Sequence, residues 1–204
     1  MVKVEIAPGV VLWRERLDRA AQSAMLEAVF ARVEQAPFYR PVMPKSGAPF
    51  SVEETNFGAL GWVSDRDGYR YAKAHPVTGK PWPDIPPALL ALWDEVAGYA
   101  APPECCLVNL YRGGAKMGLH QDRDEAARAA PVLSVSLGDE ALFRIGDETR
   151  KAGSASVKLS SGDVLTFGGV ARMAYHGIDR VIAGSSTLVP GGGRINLTLR
   201  RVTL

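Results

Sequence analysis

Residues 109–125 read NLYRGGAKMGLHQDRDE. A short extended run ends at a Gly-Gly turn, Gly113 and Gly114, and a histidine and an aspartate follow at His120 and Asp122. The chain holds three histidines in all, so one placed two residues before an acid invites a chemical reading. Residues i and i+2 of an extended chain point to the same side. If extended, His120 and Asp122 aim an imidazole and a carboxylate at one point. Asp124 and Glu125 add negative charge beside them.

The chain changes character where this stretch begins. From Cys105 onward, CCLVNLYR, PVLSVSLG, ALFRIG, ASVKLS, DVLTFGG, RMAYHGIDRV and GRINLTLRRVTL are short apolar or alternating runs separated by turn residues. That spacing predicts a sandwich or jelly roll. Gly 21 and Pro 14 suit such a turn-rich fold better than a helical bundle. Upstream, LDRAAQSAMLEAVFARVEQAPF carries a helical pattern. Asp18 stands at the cap position, Ala21, Met25, Val29 and Val33 recur at helical spacing, and Pro37 follows the end. FSVEETNFGALGWVSDRDGYRYA predicts strands around glycine-marked turns. PPALLALWDEVAGYA predicts a second helix, opened by proline and stopped near Gly98. The expected fold class is mainly β with flanking helices (α+β), one domain over 1–204 with the helices packed on one sheet.

Composition sets outer bounds. The 204 residues are 47% hydrophobic and 23% charged, ordinary for a globular chain. A net charge of +2 permits nucleic-acid binding without arguing for it. The adjacent Cys105 and Cys106 are expected to be buried apolar side chains rather than a disulfide. The N-terminus lacks the apolar core of a signal peptide, and no apolar run is long enough to span a membrane. These features lead to an expected cytoplasmic location.

A third metal ligand for His120 and Asp122 is offered by His176, in MAYHGIDRV. Two histidines and one carboxylate with open positions opposite form the arrangement of non-haem Fe(II) oxygenases. His-x-Asp also arises by chance, and a histidine hydrogen-bonded in a turn is the plain alternative for each ring. The last strand adds to the case. In RINLTLR, Arg194, Asn196, Thr198 and Arg200 alternate with Ile195, Leu197 and Leu199. A solvent-facing strand shows the same alternation. Arginine, however, suits two-pronged capture of a carboxylate, and a five-carbon diacid chelating iron at one end needs a cationic clamp at the other. Asn109 and Tyr111, again at i and i+2, can hydrogen-bond the same diacid.

Taken together, NLYRGGAKMGLHQDRDE, PVLSVSLG, GDVLTFGG, YHGI and RINLTLR resemble the AlkB family of Fe(II)- and 2-oxoglutarate-dependent dioxygenases, in its bacterial alkylated-DNA repair branch. TNFGALGWVSDRDGYRY and HPVTGKPWPDIP are similar to that family's nucleotide-recognition region. The likeness runs from about the first helix to the end and is weakest in the first few residues and in PVMPKSGAPF, residues 41–50. It implies a double-stranded β-helix (jelly roll) over 105–204, with N-terminal helices and a nucleotide-recognition lid drawn from 1–104. It implies Fe(II) on His120, Asp122 and His176. It implies 2-oxoglutarate held by Asn109, Tyr111, Arg194, Asn196 and Arg200, with Arg194 on the distal carboxylate and Arg200 on the metal-proximal one. O2 is the second cosubstrate.

The implied reaction oxidises the N-alkyl carbon of a base such as 1-methyladenine or 3-methylcytosine and releases formaldehyde. The implied substrate is alkylated DNA or RNA, single-stranded or with a flipped base, and the implied state is a monomer. Trp62, Tyr69, Tyr71, Asp124 and Arg150 fall on substrate-side positions. For Asp124 the alternative is an ion pair with Arg123 or Arg128 in a surface loop. Two other readings compete with base repair. One is an oxygenase of the same fold acting on a small molecule or protein. The other is a metal-bearing jelly roll that only binds, which has no use for Arg194 and Arg200 together.

Overall fold

A computed structural model describes residues 2–149 and 154–204. The chain opens with a hairpin of β1 (Val2–Ala7) and β2 (Val10–Arg14), followed by α1 (Arg19–Val33). Next come β3 (Glu53–Phe57), β4 (Gly61–Asp65), β5 (Gly68–Ala72) and α2 (Pro87–Val96). The later strands are β6 (Cys105–Tyr111), β7 (Met117–His120), β8 (Val132–Gly138), β9 (Glu140–Ile145), β10 (Ala155–Leu159) and β11 (Val164–Phe167). A single 3-10 turn, β12 (His176–Ile182) and β13 (Arg194–Arg200) complete the order.

Every strand pair is antiparallel. A seven-stranded sheet runs β1-β2-β11-β8-β13-β6-β3, a four-stranded sheet runs β10-β9-β12-β7, and β4 with β5 forms a separate hairpin. The fold is thus mainly β, a jelly roll with two flanking helices. Strands β1, β2 and β3 precede residue 105, so the large sheet draws on both halves of the chain.

Alternation along the central strands divides the interior in two. Cys106, Val108 and Leu110 of β6, Leu133, Val135 and Leu137 of β8, and Ile195, Leu197 and Leu199 of β13 pack with Met25, Leu26 and Val29 of α1 and Leu89, Leu92 and Trp93 of α2. On the other side, Val132, Leu165 and Phe167 pack against Phe143, Ile145 and Ile178 of the small sheet. Helix α1 starts where Asp18 accepts a 2.8 Å hydrogen bond from the Ala21 backbone N–H. Its buried stripe is Gln22, Met25, Leu26 and Val29, one residue round from the expected one, because Gln22 is taken up by hydrogen bonds to Leu17 and Ser161. Helix α2 has proline in its first turn, and Gly98 takes φ +64° just past its end. Cys105 and Cys106 are both buried and unpaired, as expected.

The β1–β2 hairpin was not expected. Its turn is Pro8-Gly9, where Gly9 takes φ +77° and a Cβ would sit 2.5 Å from the Gly168 carbonyl oxygen. No helix among the described residues is long and apolar enough to cross a membrane.

Candidate active site

The register of β12 against β7 places His176 directly opposite His120. Asp122 follows just beyond the end of β7, and one ligand atom from each of the three lies within 4.8 Å of the others. Both imidazoles are oriented from behind. His120 Nδ1 lies 2.9 Å from the Gly118 carbonyl oxygen, and His176 Nδ1 lies 2.9 Å from that of Ala174. A carbonyl only accepts, so each Nδ1 carries the proton and each Nε2 keeps its lone pair for the cluster. The two Nε2 atoms lie 3.8 and 3.9 Å from the Asp122 carboxylate. Burial, reinforced by the neighbouring His120, pushes His176 down to about 4, so this ring is neutral at physiological pH. A neutral imidazole is the form that binds a metal.

Burial would raise the Asp122 carboxyl, but Arg200 and the two imidazoles outweigh it and hold it well below the usual carboxylate range. Arg200 donates through Nε and Nη2 to the two Asp122 oxygens, at 2.9 and 2.8 Å. Behind this pair stands Arg172, buried and absent from the sequence reading. It donates to the Asp122 carbonyl oxygen at 2.6 Å, the Ala130 carbonyl oxygen at 3.0 Å and Glu125 at 3.0 Å. Glu125 also accepts from the Tyr71 hydroxyl. The acids after His120 therefore part company: Asp122 joins the cluster, while Glu125 is a buried anchor for Arg172 and Tyr71.

An inner cavity extends from the cluster between the two sheets. Asn109, Tyr111, Ser134, Arg194, Asn196, Thr198 and Arg200 line it, with His120 and His176 at its mouth and Phe143 and Phe167 in its wall. The polar face of β13 thus points inward, and the register sets Arg194 beside Tyr111 and Asn196 beside Asn109. Arg194 is 0% exposed and has no ion-pair partner within 4.0 Å among the described residues. Its Nη2 donates to Ser136 at 2.8 Å, and its Nε has no partner. Burial lowers it to about 10. The Asn109 side-chain oxygen is also unpartnered. A buried guanidinium with a donor to spare fits a carboxylate ligand. Asn196 is less free than expected, since its amide is spent on Ser134, Val135 and Thr198.

An outer cleft of about 560 Å³ opens on the other side of the cluster. Met43, Phe50, Trp62, Tyr69, His120 and Asp124 are among its walls. Trp62 stacks on Tyr69 with centroids 5.4 Å apart and planes 17° from parallel. The Trp62 indole N–H donates to Asp124 at 2.9 Å, and Asp124 makes no ion pair with Arg123 or Arg128. Residues 41–50 form a small loop docked on β4, with Ser64 donating to the Val42 carbonyl oxygen at 2.7 Å. Tyr71 does not line the cleft, because its hydroxyl is drawn down to buried Glu125. Arg150 lies outside the described residues. The third histidine, His75, ties its own loop to Pro37 and packs on Tyr39 and Trp82.

A jelly roll with two histidines and an aspartate between an arginine-lined cavity and an open cleft is the architecture of an iron- and 2-oxoglutarate-dependent oxygenase. The sequence model of the 2OG-Fe(II) oxygenase superfamily matches residues 9–200. The chain is 59% identical to the alpha-ketoglutarate-dependent dioxygenase AlkB homolog of Caulobacter vibrioides, over 96% of this chain and 89% of that one. It is 39% identical to alpha-ketoglutarate-dependent dioxygenase AlkB of Escherichia coli, over 96% and 91%. Shorter matches join it to the DNA N(6)-methyladenine demethylase ALKBH1D of Arabidopsis thaliana, 42% identical over 48% of this chain and 24% of that one. The tRNA demethylase abh1 of Schizosaccharomyces pombe is 28% identical over 68% and 47%. The solved structure of OsALKBH1 superposes with a TM-score of 0.82 at 29% identity, covering 98% of this chain and all of that one. The chain belongs to the AlkB family of Fe(II)- and 2-oxoglutarate-dependent dioxygenases. Its cofactor and cosubstrates are Fe(II), 2-oxoglutarate and O2.

Proposed function

We propose that this chain removes N-alkyl groups oxidatively from nucleic-acid bases such as 1-methyladenine and 3-methylcytosine, in DNA or RNA, as a direct reversal of alkylation damage. The observation that carries the reading is the outer cleft: a stacked aromatic pair, Trp62 and Tyr69, stands in the same cleft as His120 and Asp122. Aromatic faces stack bases of any sequence. Relatives named as DNA and tRNA demethylases support the same substrate class.

In this reading His120 and His176 hold Fe(II) through Nε2 and Asp122 through its carboxylate. Arg194, with Asn109, Tyr111 and Asn196 around it, takes the distal carboxylate of 2-oxoglutarate. Arg200 keeps Asp122 ionised and aimed, and offers its remaining donor to the metal-proximal carboxylate. When bound there, the metal would supply the oxidative chemistry, in which 2-oxoglutarate and O2 would give succinate and CO2, with one oxygen atom in succinate and the other on the N-alkyl carbon. The N-hydroxyalkyl product then releases formaldehyde and the restored base. Phe143 and Phe167 keep water from the inner cavity, and the loop at 41–50 with β4–β5 shapes a lid over the base. Asp124 presents a carboxylate at the rim toward cationic lesions. The substrate is single-stranded or has its base flipped out, since an alkylated base that cannot pair is cheap to extrude. The enzyme works as a monomer in the cytoplasm, with its lid drawn from 1–104 and its catalytic core from 105–204.

The test follows succinate and formaldehyde with and without a methylated oligonucleotide. Formaldehyde equal to the methyl groups lost is expected. Succinate formation indifferent to the oligonucleotide would transfer the enzyme to the small-molecule oxygenases.

A further inference from the structure

Glu54 has no place in the roles above. It sits in the middle of β3 at 0% exposure, and neither carboxyl oxygen has a hydrogen-bond partner among the described residues. Its backbone is fully engaged: its N–H donates to the Tyr39 carbonyl oxygen at 2.8 Å, and Tyr39 donates back at 3.0 Å. The register puts Glu54 opposite Asn109, and Asn109 opposite Asn196, so the three share the inward face of the large sheet. The side chain stands in the wall of the outer cleft with Leu107, His120, Asp122 and Arg200.

Among the described residues no cation pairs with it. Arg200 is the positive group among them that acts on it, and that guanidinium is gripped by both oxygens of Asp122. A buried carboxyl without a counter-ion keeps its proton rather than its charge. Burial pushes Glu54 up to about 8 against the pull of Arg200. A protonated carboxyl is a hydrogen-bond donor, which a carboxylate is not. Two acids of opposite character therefore face one cleft. Asp124 is an exposed acceptor at the rim, whereas Glu54 is a buried donor in the wall.

We propose that Glu54 is a specificity-determining residue that donates its carboxyl O–H to a ring carbonyl oxygen of the substrate, admitting neutral keto bases such as 1-methylguanine. The inference rests on the base-dealkylation reading. A carboxylate at this place would repel a carbonyl oxygen, and an apolar side chain would leave that oxygen desolvated and unbonded. Cationic amino bases present N–H groups instead, which suit the acceptor Asp124.

The test compares kcat/KM on 1-methylguanine and 1-methyladenine in matched single-stranded oligonucleotides for wild type, Glu54→Gln and Glu54→Leu. The glutamine keeps a neutral donor of the same shape; the leucine removes it. The ratio of the two kcat/KM values should fall roughly 10- to 100-fold in Glu54→Leu, the range set by one buried hydrogen bond. It should stay within about threefold of wild type in Glu54→Gln, with 2-oxoglutarate affinity equal in all three. An unchanged ratio in Glu54→Leu, whether both activities hold or both fall, overturns the proposal. So does a wild type that demethylates 1-methyladenine but not 1-methylguanine, which leaves the dealkylation reading standing. A wild type inactive on both oligonucleotides removes that reading and this proposal with it.

Discussion

Asp122 accepts two bonds from Arg200, so the three cluster residues differ under substitution. Any of the three changes should abolish metal-dependent turnover. His120 is only partly buried, and His120→Ala should leave stability near wild type. Asp122→Ala strands a buried guanidinium and should lower stability by about 3–5 kcal/mol. Urea unfolding of both variants without metal decides it; equal midpoints would mean the ion pair adds nothing. Glu54 gives the residue scale a pH dependence. Its carboxyl titrates at about 8 when folded and at its ordinary 4.5 when unfolded. Between those values the unfolded chain releases a proton that the native state retains, so stability falls as pH rises through this window. The slope contributed approaches 1.4 kcal/mol per pH unit. Glu54→Gln should flatten the stability profile from pH 5 to 8; parallel profiles for wild type and variant would show that Glu54 is ionised.

At the scale of the element, the pairing of β7 with β12 brings the two imidazoles together, with centroids 4.5 Å apart and planes tilted by 52°. Gly177 permits this closeness. A Cβ there would lie 2.6 Å from the Met117 carbonyl oxygen and 2.9 Å from that of Gly118. Gly177→Ala should therefore push β7 outward and weaken Fe(II) binding at least tenfold, a loss of about 1.4 kcal/mol, seen by metal titration of the purified variant. Unchanged affinity would mean that β7 shifts without disturbing His120. Both helices and most strands from Cys105 onward were legible, the helices from their apolar spacing and the strands as short apolar or alternating runs between turn residues, central β6 and β8 being buried at every position; β7 was not among those runs. The β1–β2 hairpin was not legible, since β1 is an edge strand whose Val2 and Val4 stay exposed, and only Val10 and Leu12 of the short β2 carry a buried alternation. His120, Asp122 and His176 stood out once the arginines of β13 and the flanking motifs were added, since His-x-Asp with a distant histidine also arises by chance. Glu54 and Arg172 did not, because their surroundings are supplied by segments distant in sequence. Tyr71 looked like a cleft residue only while its partner Glu125 was unknown.

Over the whole molecule, the net charge of +2 limits how much nucleic-acid affinity can come from phosphates. Lys116 and Arg123 stand at the cleft, whereas Arg70 is already paired with Asp65 at 2.7 Å through both oxygens. Two or three phosphate contacts predict a slope of log affinity against log salt of roughly −1.4 to −2.1 for a single strand. Lys116→Ala should make that slope shallower by about 0.7. Fluorescence anisotropy of a labelled oligonucleotide across a salt series measures both, and a flat series would argue against any phosphate contact. The two faces of β13 carry a consequence for descent. Ile195, Leu197 and Leu199 lie among the helices, while Arg194, Asn196, Thr198 and Arg200 line the inner cavity. Inherited changes at 194, 196 and 198 should alter what acid the cavity accepts and leave the helix-side packing alone, whereas Arg200 is also tied to both oxygens of Asp122. Changes at the odd positions do the reverse. On this reading a lineage could retune its cosubstrate at those three positions without rebuilding the scaffold that carries it.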